Sequence, residues 1–230
     1  MTHDDRLIEL LANARVLFLD FDGPLCDVFA GLPSPEVAGR LAALVAAGDA
    51  EAGARAAGTG DPFEVLRIAY ETDDGPGQEV EAALTAAETE AVVVAGPPKP
   101  GAVAALRAAN SSGRAVAVVS DNSAECVRRF LEAHGLEEYV TAVVGRPAGK
   151  PHLMRPNPFP LITAAEETHM DVTNCVLIGG SPDAVRAAHR AGTTAIGYAD
   201  GPREAELFTE AGADTVVADM GTVADALTAE

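Results

Sequence analysis

Short apolar runs that alternate with helical stretches constrain the fold of this chain more than any other feature of its sequence. Each run is about five residues long, is rich in Val, Ile or Leu, and is followed by a stretch with a helical pattern. Runs that are apolar throughout are typical of strands buried on both faces of a parallel sheet. The runs occupy residues 15–20, 115–119, 141–144, 174–178, 194–198 and 215–217. The sequence therefore predicts an α/β fold with a doubly wound parallel sheet.

One long segment, residues 29–97, interrupts this alternation. Its pattern predicts helices over 34–47, 62–71 and 78–90, and the apolar residues 91–95 read as a strand. The Pro-rich stretch 97–101 then closes the segment as a stiff connection. We expect an α/β core domain made of residues 1–28 and 98–230, and a small helical domain made of residues 29–97.

The charge of the chain limits its partners. Asp and Glu number 35 and Lys and Arg number 16, which gives a formal net charge of −19. Such a chain repels nucleic acid and anionic membrane surfaces, both of which are bound through basic side chains. The first residues are acidic and polar, unlike a secretory signal, and the apolar runs are too short to span a membrane. The three cysteines have no CxxC spacing. We expect a cytoplasmic protein that acts on a small molecule.

Polar side chains follow the first apolar run at the point where ligands bind in open α/β sheets. Asp20 and Asp22 are two residues apart, and Gly23 comes next. On an extended backbone the two carboxylates point the same way, so one could attack a substrate while the other transfers a proton. Taken alone, the same residues are also typical of an ordinary polar turn.

Three further clusters follow later runs or precede later helices. Ser120, Asp121 and Asn122 lie at the start of a helix, where a hydroxyl and free N–H groups suit a phosphate. A Pro-rich loop carries two cations, Lys150 and Arg155. A glycine turn leads to Ser181 and Asp183 at the start of another helix. Each cluster alone is also typical of a helix cap or a surface loop.

The order of the four clusters resembles the haloacid dehalogenase-like phosphohydrolase superfamily, and the resemblance covers nearly the whole chain. The family has a Rossmann-like core, and many members have a helical cap inserted after the first motif, as residues 29–97 are here. The first motif, DxDGxL, matches residues 20–25, and the second matches Ser120. The third motif matches residues 155–158. The fourth matches residues 179–184, and the helix that follows ends in an AAxxAG-like stretch at residues 187–192.

The resemblance implies a role for each matching residue. Asp20 would be the nucleophile that forms an aspartyl-phosphate, and Asp22 would protonate the leaving group and then activate water. Ser120 would donate a hydrogen bond to the phosphoryl group. The resemblance also implies Mg²⁺ as cofactor, with Asp20, Asp22 and Asp183 as its candidate ligands. Backbone or side-chain contacts to the substrate would come from Gly23, Asp121 and Asn122.

The third and fourth motifs depart from the family pattern. Arg155 precedes Gly180 by 25 residues and Lys150 precedes it by 30, and Pro-x-Pro follows Arg155. This register places Arg155 at the position of the family's lysine, with Lys150 as the other candidate cation. In the fourth motif Gly180 and Ala184 stand where the family has acids. The departure leaves the metal site incomplete unless Asp183 compensates.

These residues predict a Mg²⁺-dependent phosphatase that acts on a small phosphate monoester. Asp22 disfavours dehalogenation, which needs no proton donor for a leaving alkoxide. Residues 29–97 contain no lysine, which disfavours phosphonate cleavage through a Schiff base. Two alternatives stay open: a catalytically impaired protein that binds a phosphorylated ligand or partner, and a phosphomutase. The distinctive polar side chains of the predicted cap, where specificity would lie, are Arg40, Arg55 and Arg67.

Overall fold

The described part of the chain has a single parallel sheet at its centre. The computed structural model describes residues 3–71 and 75–229. Within them, six parallel strands lie in the order β3-β2-β1-β4-β5-β6. The strands are β1 (Val16–Asp20), β2 (Ala115–Val119), β3 (Ala142–Val144), β4 (Cys175–Gly179), β5 (Thr194–Tyr198) and β6 (Thr215–Val217). The predicted α/β class, with a Rossmann-like doubly wound sheet, is confirmed.

The central strand shows why these runs are apolar throughout. Every residue of β1 is buried. Leu17 and Leu19 pack into one hydrophobic core, whereas Val16 and Phe18 pack into a second core on the opposite face. Because both faces of the strand are covered, no position along it favours a polar side chain until Asp20 at the carboxyl end.

Helices cover both faces of the sheet. One core contains apolar side chains of α1 (His3–Ala12), α6 (Ala102–Ser111) and α7 (Ala124–Ala133). The core on the other face contains those of α8 (Phe159–Glu167), α9 (Pro182–Ala191) and α10 (Pro202–Glu210). A last helix, α11 (Met220–Thr228), packs against α6. None of the described helices is both long and apolar enough to cross a membrane.

Four described helices form the segment between β1 and α6. They are α2 (Ser34–Gly48), α3 (Ala50–Ala56), α4 (Pro62–Ala69) and α5 (Gly77–Val94). The strand predicted over residues 91–95 is wrong, because residues 91–94 complete α5. Ala91 continues the buried face of that helix, whereas Val93 and Val94 are 63% and 55% exposed. The tertiary packing of the buried face of α5 outweighs the preference of the valines for a strand.

Helix α3 was not predicted from the sequence. It is only seven residues long, and it begins at the side chain of Asp49, which accepts hydrogen bonds from the backbone N–H groups of Glu51 and Ala52. Gly53 lies against the preceding helix, where a Cβ atom would be 2.4 Å from the Cα atom of Ala46. This close packing explains how a short helix with a central glycine is held in place.

Candidate functional site

The carboxyl ends of three adjacent strands bring the predicted clusters together. β1 lies between β2 and β4, so Asp20, Asp121 and Gly180 meet at one edge of the sheet. They line a pocket of about 400 Å³, to which the loop before α8 contributes Arg155. The sequence placed these clusters at the carboxyl ends of strands, where ligands bind in open α/β sheets, and the strand order of the structure makes those ends adjacent.

Asp20 lies at the base of the pocket and is almost fully buried. Its Oδ2 atom accepts a hydrogen bond from Arg155 Nη1 at 2.6 Å and another from the Gly180 backbone N–H at 3.0 Å. Its Oδ1 atom is buried and has no hydrogen-bond partner among the described residues. Burial raises the pKa of Asp20, and the positive charge of Arg155 opposes that shift. The carboxylate therefore has one oxygen held in place and one oxygen unengaged.

Arg155 is the cation at this carboxylate. Besides its bond to Asp20, its Nε atom donates to Asp121 Oδ2 at 3.1 Å, and its backbone N–H donates to Asp121 Oδ1 at 3.2 Å. Lys150, the other candidate cation, is exposed and does not line the pocket, and no described carboxylate forms an ion pair with it. The planar guanidinium group spans two carboxylates at once, which an ammonium group could not do in the same geometry.

Asp22 lies at the mouth of the pocket. Its Oδ1 atom accepts a hydrogen bond from the Val28 backbone N–H at 3.0 Å. The residue as a whole is exposed, but protein atoms crowd its carboxyl group, and this partial desolvation raises its pKa to about 6. The nearby charge of Asp20 raises the pKa further, against the effect of the Val28 hydrogen bond. A carboxyl group with such a pKa can both give and take a proton near neutral pH.

The loop after β2 presents two of its three predicted residues to the pocket. Asp121 and Asn122 line the pocket, whereas Ser120 is fully buried and is not part of the lining. The Ser120 Oγ atom accepts hydrogen bonds from the backbone N–H of Asn122 at 3.0 Å and from its side-chain amide at 3.2 Å. In the conformation shown, Ser120 therefore holds Asn122.

Gly180 has no side chain because there is no room for one. A Cβ atom at this position would lie 2.1 Å from the backbone oxygen of Asp22. Gly23 has a φ of +99°, and its own Cβ would lie 3.0 Å from the Cα atom of Gly180. The turns after β1 and β4 thus pack backbone against backbone, and an acid at position 180 would force them apart.

Asp183 lines the same pocket, but its carboxylate is already paired. Its Oδ1 atom accepts a hydrogen bond from Arg186 Nη1 at 2.7 Å, and its side chain is 49% exposed. Ala184, at the second position where an acid is missing, is fully buried in the core below α9. Arg186 engages Oδ1 alone, so only the Oδ2 atom of Asp183 is open to a metal ion while this ion pair holds.

The segment between β1 and α6 also contributes to the pocket. Asp61, Phe63 and Arg67 line it, and Arg67 Nη2 lies 3.4 Å from the Arg155 carbonyl oxygen. Arg40 and Arg55 instead form exposed ion pairs away from the pocket. In the sequence these three arginines are equivalent candidates, because a helical pattern does not show which end of the segment faces the core.

The charges of the lining suit a cation. Among the described residues, the lining contains five carboxylates and three guanidinium groups, which give a formal charge of −2. No group of three or more His, Cys, Asp or Glu side chains converges on a metal position in the described ranges 3–71 and 75–229. The Asp20 carboxylate is nevertheless a candidate oxygen ligand at the base of the pocket, because its described hydrogen bonds engage only one of its two oxygens. Mg²⁺ often takes only one or two protein carboxylates and completes its shell with water and substrate oxygens. The residues present fit Mg²⁺ in this reduced form.

Comparison with known proteins identifies related sequences. The family model described as haloacid dehalogenase-like hydrolase matches residues 65–198. A phosphoglycolate phosphatase of Neisseria meningitidis is 29% identical over 113 residues, which are 49% of this chain and 47% of that protein. The chain thus aligns with about half the length of this curated relative.

Solved structures with the same architecture have low sequence identity. CbbY from Rhodobacter sphaeroides, solved in complex with phosphate, superposes with a TM-score of 0.64 at 19% identity, covering 90% of this chain and 95% of that one. β-Phosphoglucomutase from Clostridium difficile superposes with a TM-score of 0.67 at 16% identity, covering 90% and 92%. At this level of identity the likeness establishes the shared fold.

Proposed function

Since the chain belongs to the haloacid dehalogenase-like hydrolase family, we propose that it hydrolyses a small phosphate monoester through a covalent phosphoryl group on Asp20. The observation that carries this proposal is the pairing of two carboxyl groups in one pocket. Asp20 is buried and held by Arg155 and the Gly180 N–H, and Asp22 lies two residues further on with a pKa of about 6.

In the first step an oxygen of Asp20 attacks the phosphorus atom, and the bond from phosphorus to the ester oxygen breaks. The Oδ1 atom is suited to this attack because no described group engages it. Arg155 and the Gly180 N–H hold Oδ2 and fix the direction of the carboxylate. The proton of Asp22 passes to the ester oxygen, so the alcohol leaves as a neutral molecule.

In the second step Asp22, now a carboxylate, takes a proton from a water molecule. The resulting hydroxide attacks the phosphoryl group and displaces the Asp20 carboxylate, which releases inorganic phosphate and regenerates the site. The pKa of about 6 suits both transfers, since neither protonation state of Asp22 is strongly disfavoured near neutral pH.

We propose that the pocket works with Mg²⁺, and that Asp20 is its protein ligand. A bound Mg²⁺ ion would neutralise charge between the attacking carboxylate and the phosphate. Asp22 and Asp183, the other predicted ligands, are engaged with the Val28 N–H and with Arg186. Because a direct carboxylate is missing at Gly180, we expect Mg²⁺ affinity to be at least about 10–100-fold weaker than in a site that has it.

For the substrate we propose a small phosphorylated molecule. The pocket holds about 400 Å³ and is closed on one side by Phe63 and Arg67 of the helical segment. We propose accordingly that residues 29–97 act as a cap over a core made of residues 1–28 and 98–230. We assign the cationic role to Arg155, which contacts Asp20, and not to the exposed Lys150. The cytoplasmic location expected from the sequence stays a prediction.

A non-catalytic protein that binds a phosphorylated ligand is the second candidate, because Gly180 and Ala184 replace two acids. The two functions are separated by assaying a panel of phosphate monoesters with Mg²⁺, using wild type and Asp20→Asn. Phosphate release by wild type that falls to the buffer rate in Asp20→Asn supports hydrolysis. Equal, slow release by both proteins contradicts it, and transfer to a second sugar phosphate instead of water would identify a mutase.

The contribution of Asp183 to metal binding has its own test. Titration calorimetry with Mg²⁺ should give the same affinity for wild type and Asp183→Ala if Asp20 is the protein ligand. The matched control is Arg186→Gln, which frees Asp183 from its ion pair. Loss of Mg²⁺ binding in Asp183→Ala would instead show that Asp183 is a ligand of the metal ion.

A further inference from the structure

A buried ion pair lies beneath the pocket, apart from the residues that line it. Glu88, on α5, is fully buried, and the side chain of Arg146, just after β3, is 2% exposed. The two side chains form an ion pair between Glu88 Oε1 and Arg146 Nη1. Two buried charges add little stability over a well-packed apolar pair, because their desolvation offsets their attraction. The pair therefore calls for an explanation other than stability.

The contacts of the pair point to the loop after β2. Glu88 Oε2 accepts a hydrogen bond from the Ser123 backbone N–H at 2.9 Å. Arg146 Nη1 donates to the Asp121 carbonyl oxygen at 3.0 Å, and the Arg146 backbone N–H donates to the Asn122 carbonyl oxygen at 2.8 Å. Three consecutive residues of the loop are thus held by two buried residues that are distant in sequence.

Two features fix the pair in this position. Gly145 lies so close to the start of α7 that a Cβ atom there would be 2.2 Å from the Ala124 nitrogen, which brings Arg146 directly under the loop. Arg146 Nη2 also donates to Thr85 Oγ1 at 3.1 Å, one turn before Glu88 on α5. The helical segment therefore supplies a fixed support for the loop in addition to a wall of the pocket.

The held loop in turn orients the reactive carboxylate. Asp121 accepts two hydrogen bonds from Arg155, and Arg155 donates to Asp20. A shift of the loop would move Asp121 and, with it, the guanidinium group that fixes Asp20.

We propose that Glu88 and Arg146 are positioning residues for the pocket, holding the loop of residues 120–123 so that Asp121 aligns Arg155 on Asp20. The kinetic part of this inference rests on the proposed phosphatase function. Its structural part, the fixing of the loop, does not.

The test replaces the charged pair by an apolar pair, Glu88→Leu with Arg146→Met. Removing both charges together leaves neither Glu88 nor Arg146 as an unpaired buried charge, although Glu81, whose Oε1 atom lies 3.6 Å from Arg146 Nε, loses its cation. We therefore expect the urea midpoint to stay close to that of wild type. The loop loses two side-chain hydrogen bonds, so amide hydrogen exchange at Ser123 should speed up. We expect kcat to fall by up to about 100-fold, the effect of displacing a reacting group by about 1 Å, with a smaller change in KM.

The matched control is Glu36→Gln with Arg40→Gln, an exposed ion pair on α2 of the same helical segment. It should leave kcat and Ser123 exchange unchanged. If the apolar variant is as stable as wild type and also keeps wild-type kcat and Ser123 exchange, the pair is merely structural and the proposal is overturned. If the apolar variant does not fold, Glu88→Gln with Arg146→Gln replaces it, with the same two outcomes.

A wild-type protein without phosphatase activity would defeat the proposed function but would leave this inference testable. In that case Ser123 exchange and the affinity for inorganic phosphate replace kcat as readouts. Faster exchange and weaker phosphate binding in the apolar variant, with its stability preserved, would support the positioning role. Unchanged exchange and unchanged phosphate affinity would overturn it.

Discussion

Replacing Arg155 by Met should destabilise the protein strongly, because it leaves a buried carboxylate without its counter-charge. The side chains of Arg155 and Asp20 are 7% and 2% exposed, and Nη1 lies 2.6 Å from Oδ2. Methionine keeps most of the apolar stem but removes the donors to both Asp20 and Asp121. Breaking a buried pair by removing one partner costs about 3–5 kcal/mol. This is a large part of a total stability of about 5–15 kcal/mol.

The loss should grow with pH, and its sign follows from the pKa of Asp20. Burial raises this pKa in the folded protein, and Arg155 opposes the rise. In Arg155→Met that opposition is gone, so the folded-state pKa rises further above the unfolded value. A carboxyl group with a raised folded pKa loses its stabilising contribution as pH increases through that pKa. The variant should therefore be closest to wild type at acidic pH and furthest from it at pH 8.

The measurement is urea unfolding of wild type, Arg155→Met, Asp20→Asn and the double variant at pH 5 and pH 8. The neutral amide of the Asp20→Asn variant needs no counter-charge, so Arg155→Met should cost less than half as much in that background. A cost below about 1 kcal/mol at pH 8, the value for an exposed pair, would refute the reasoning. An equal cost in both backgrounds would also refute it.

Three more measurements probe the pocket. With an alkyl phosphate, kcat/KM should fall as pH rises above about 6, because Asp22 must be protonated to give a proton to the leaving alcohol. The control substrate is p-nitrophenyl phosphate, whose leaving group needs no proton, and its kcat/KM should not fall in this way. Gly180→Ala should lower the free energy of unfolding by about 1–3 kcal/mol, measured in urea, because its Cβ would meet the Asp22 backbone. The control Gly39→Ala, on α2 with open space around it, should stabilise by about 0.5–1 kcal/mol. Lys150→Ala should leave kcat and KM unchanged in steady-state assays. A raised KM would show that Lys150 takes part in substrate binding, against this assignment.

Much of the fold was predictable because its signals are local. The strand bounds predicted for 115–119, 194–198 and 215–217 agree with the structure, because each is a short and mainly apolar run. The strand predicted over 91–95 was wrong for the opposite reason. Its valines favour a strand locally, but Ala91 and Val92 continue the buried face of α5, and the chain stays helical through the exposed Val93 and Val94.

The site was predictable to the extent that its residues follow strand ends. The structure brings Asp20, Asp22 and Asp121 to one pocket, as the sequence predicted, while their catalytic roles stay proposals. Ser120 lies behind Asn122 instead of lining the pocket, because its hydroxyl is engaged within its own turn.

The sequence by itself determined the parallel sheet and the two carboxylates at the end of its first strand, because burial of a strand and the turn after it depend on adjacent residues. The register of the sequence favoured Arg155 over Lys150, and the tertiary structure decided that Arg155 contacts Asp20 and that Gly180 packs against the Asp22 backbone. It also decided that Glu88 meets Arg146, 58 residues away. Such contacts join residues that are far apart in the sequence. A local pattern of apolar or charged residues does not show which distant residues will pack against each other.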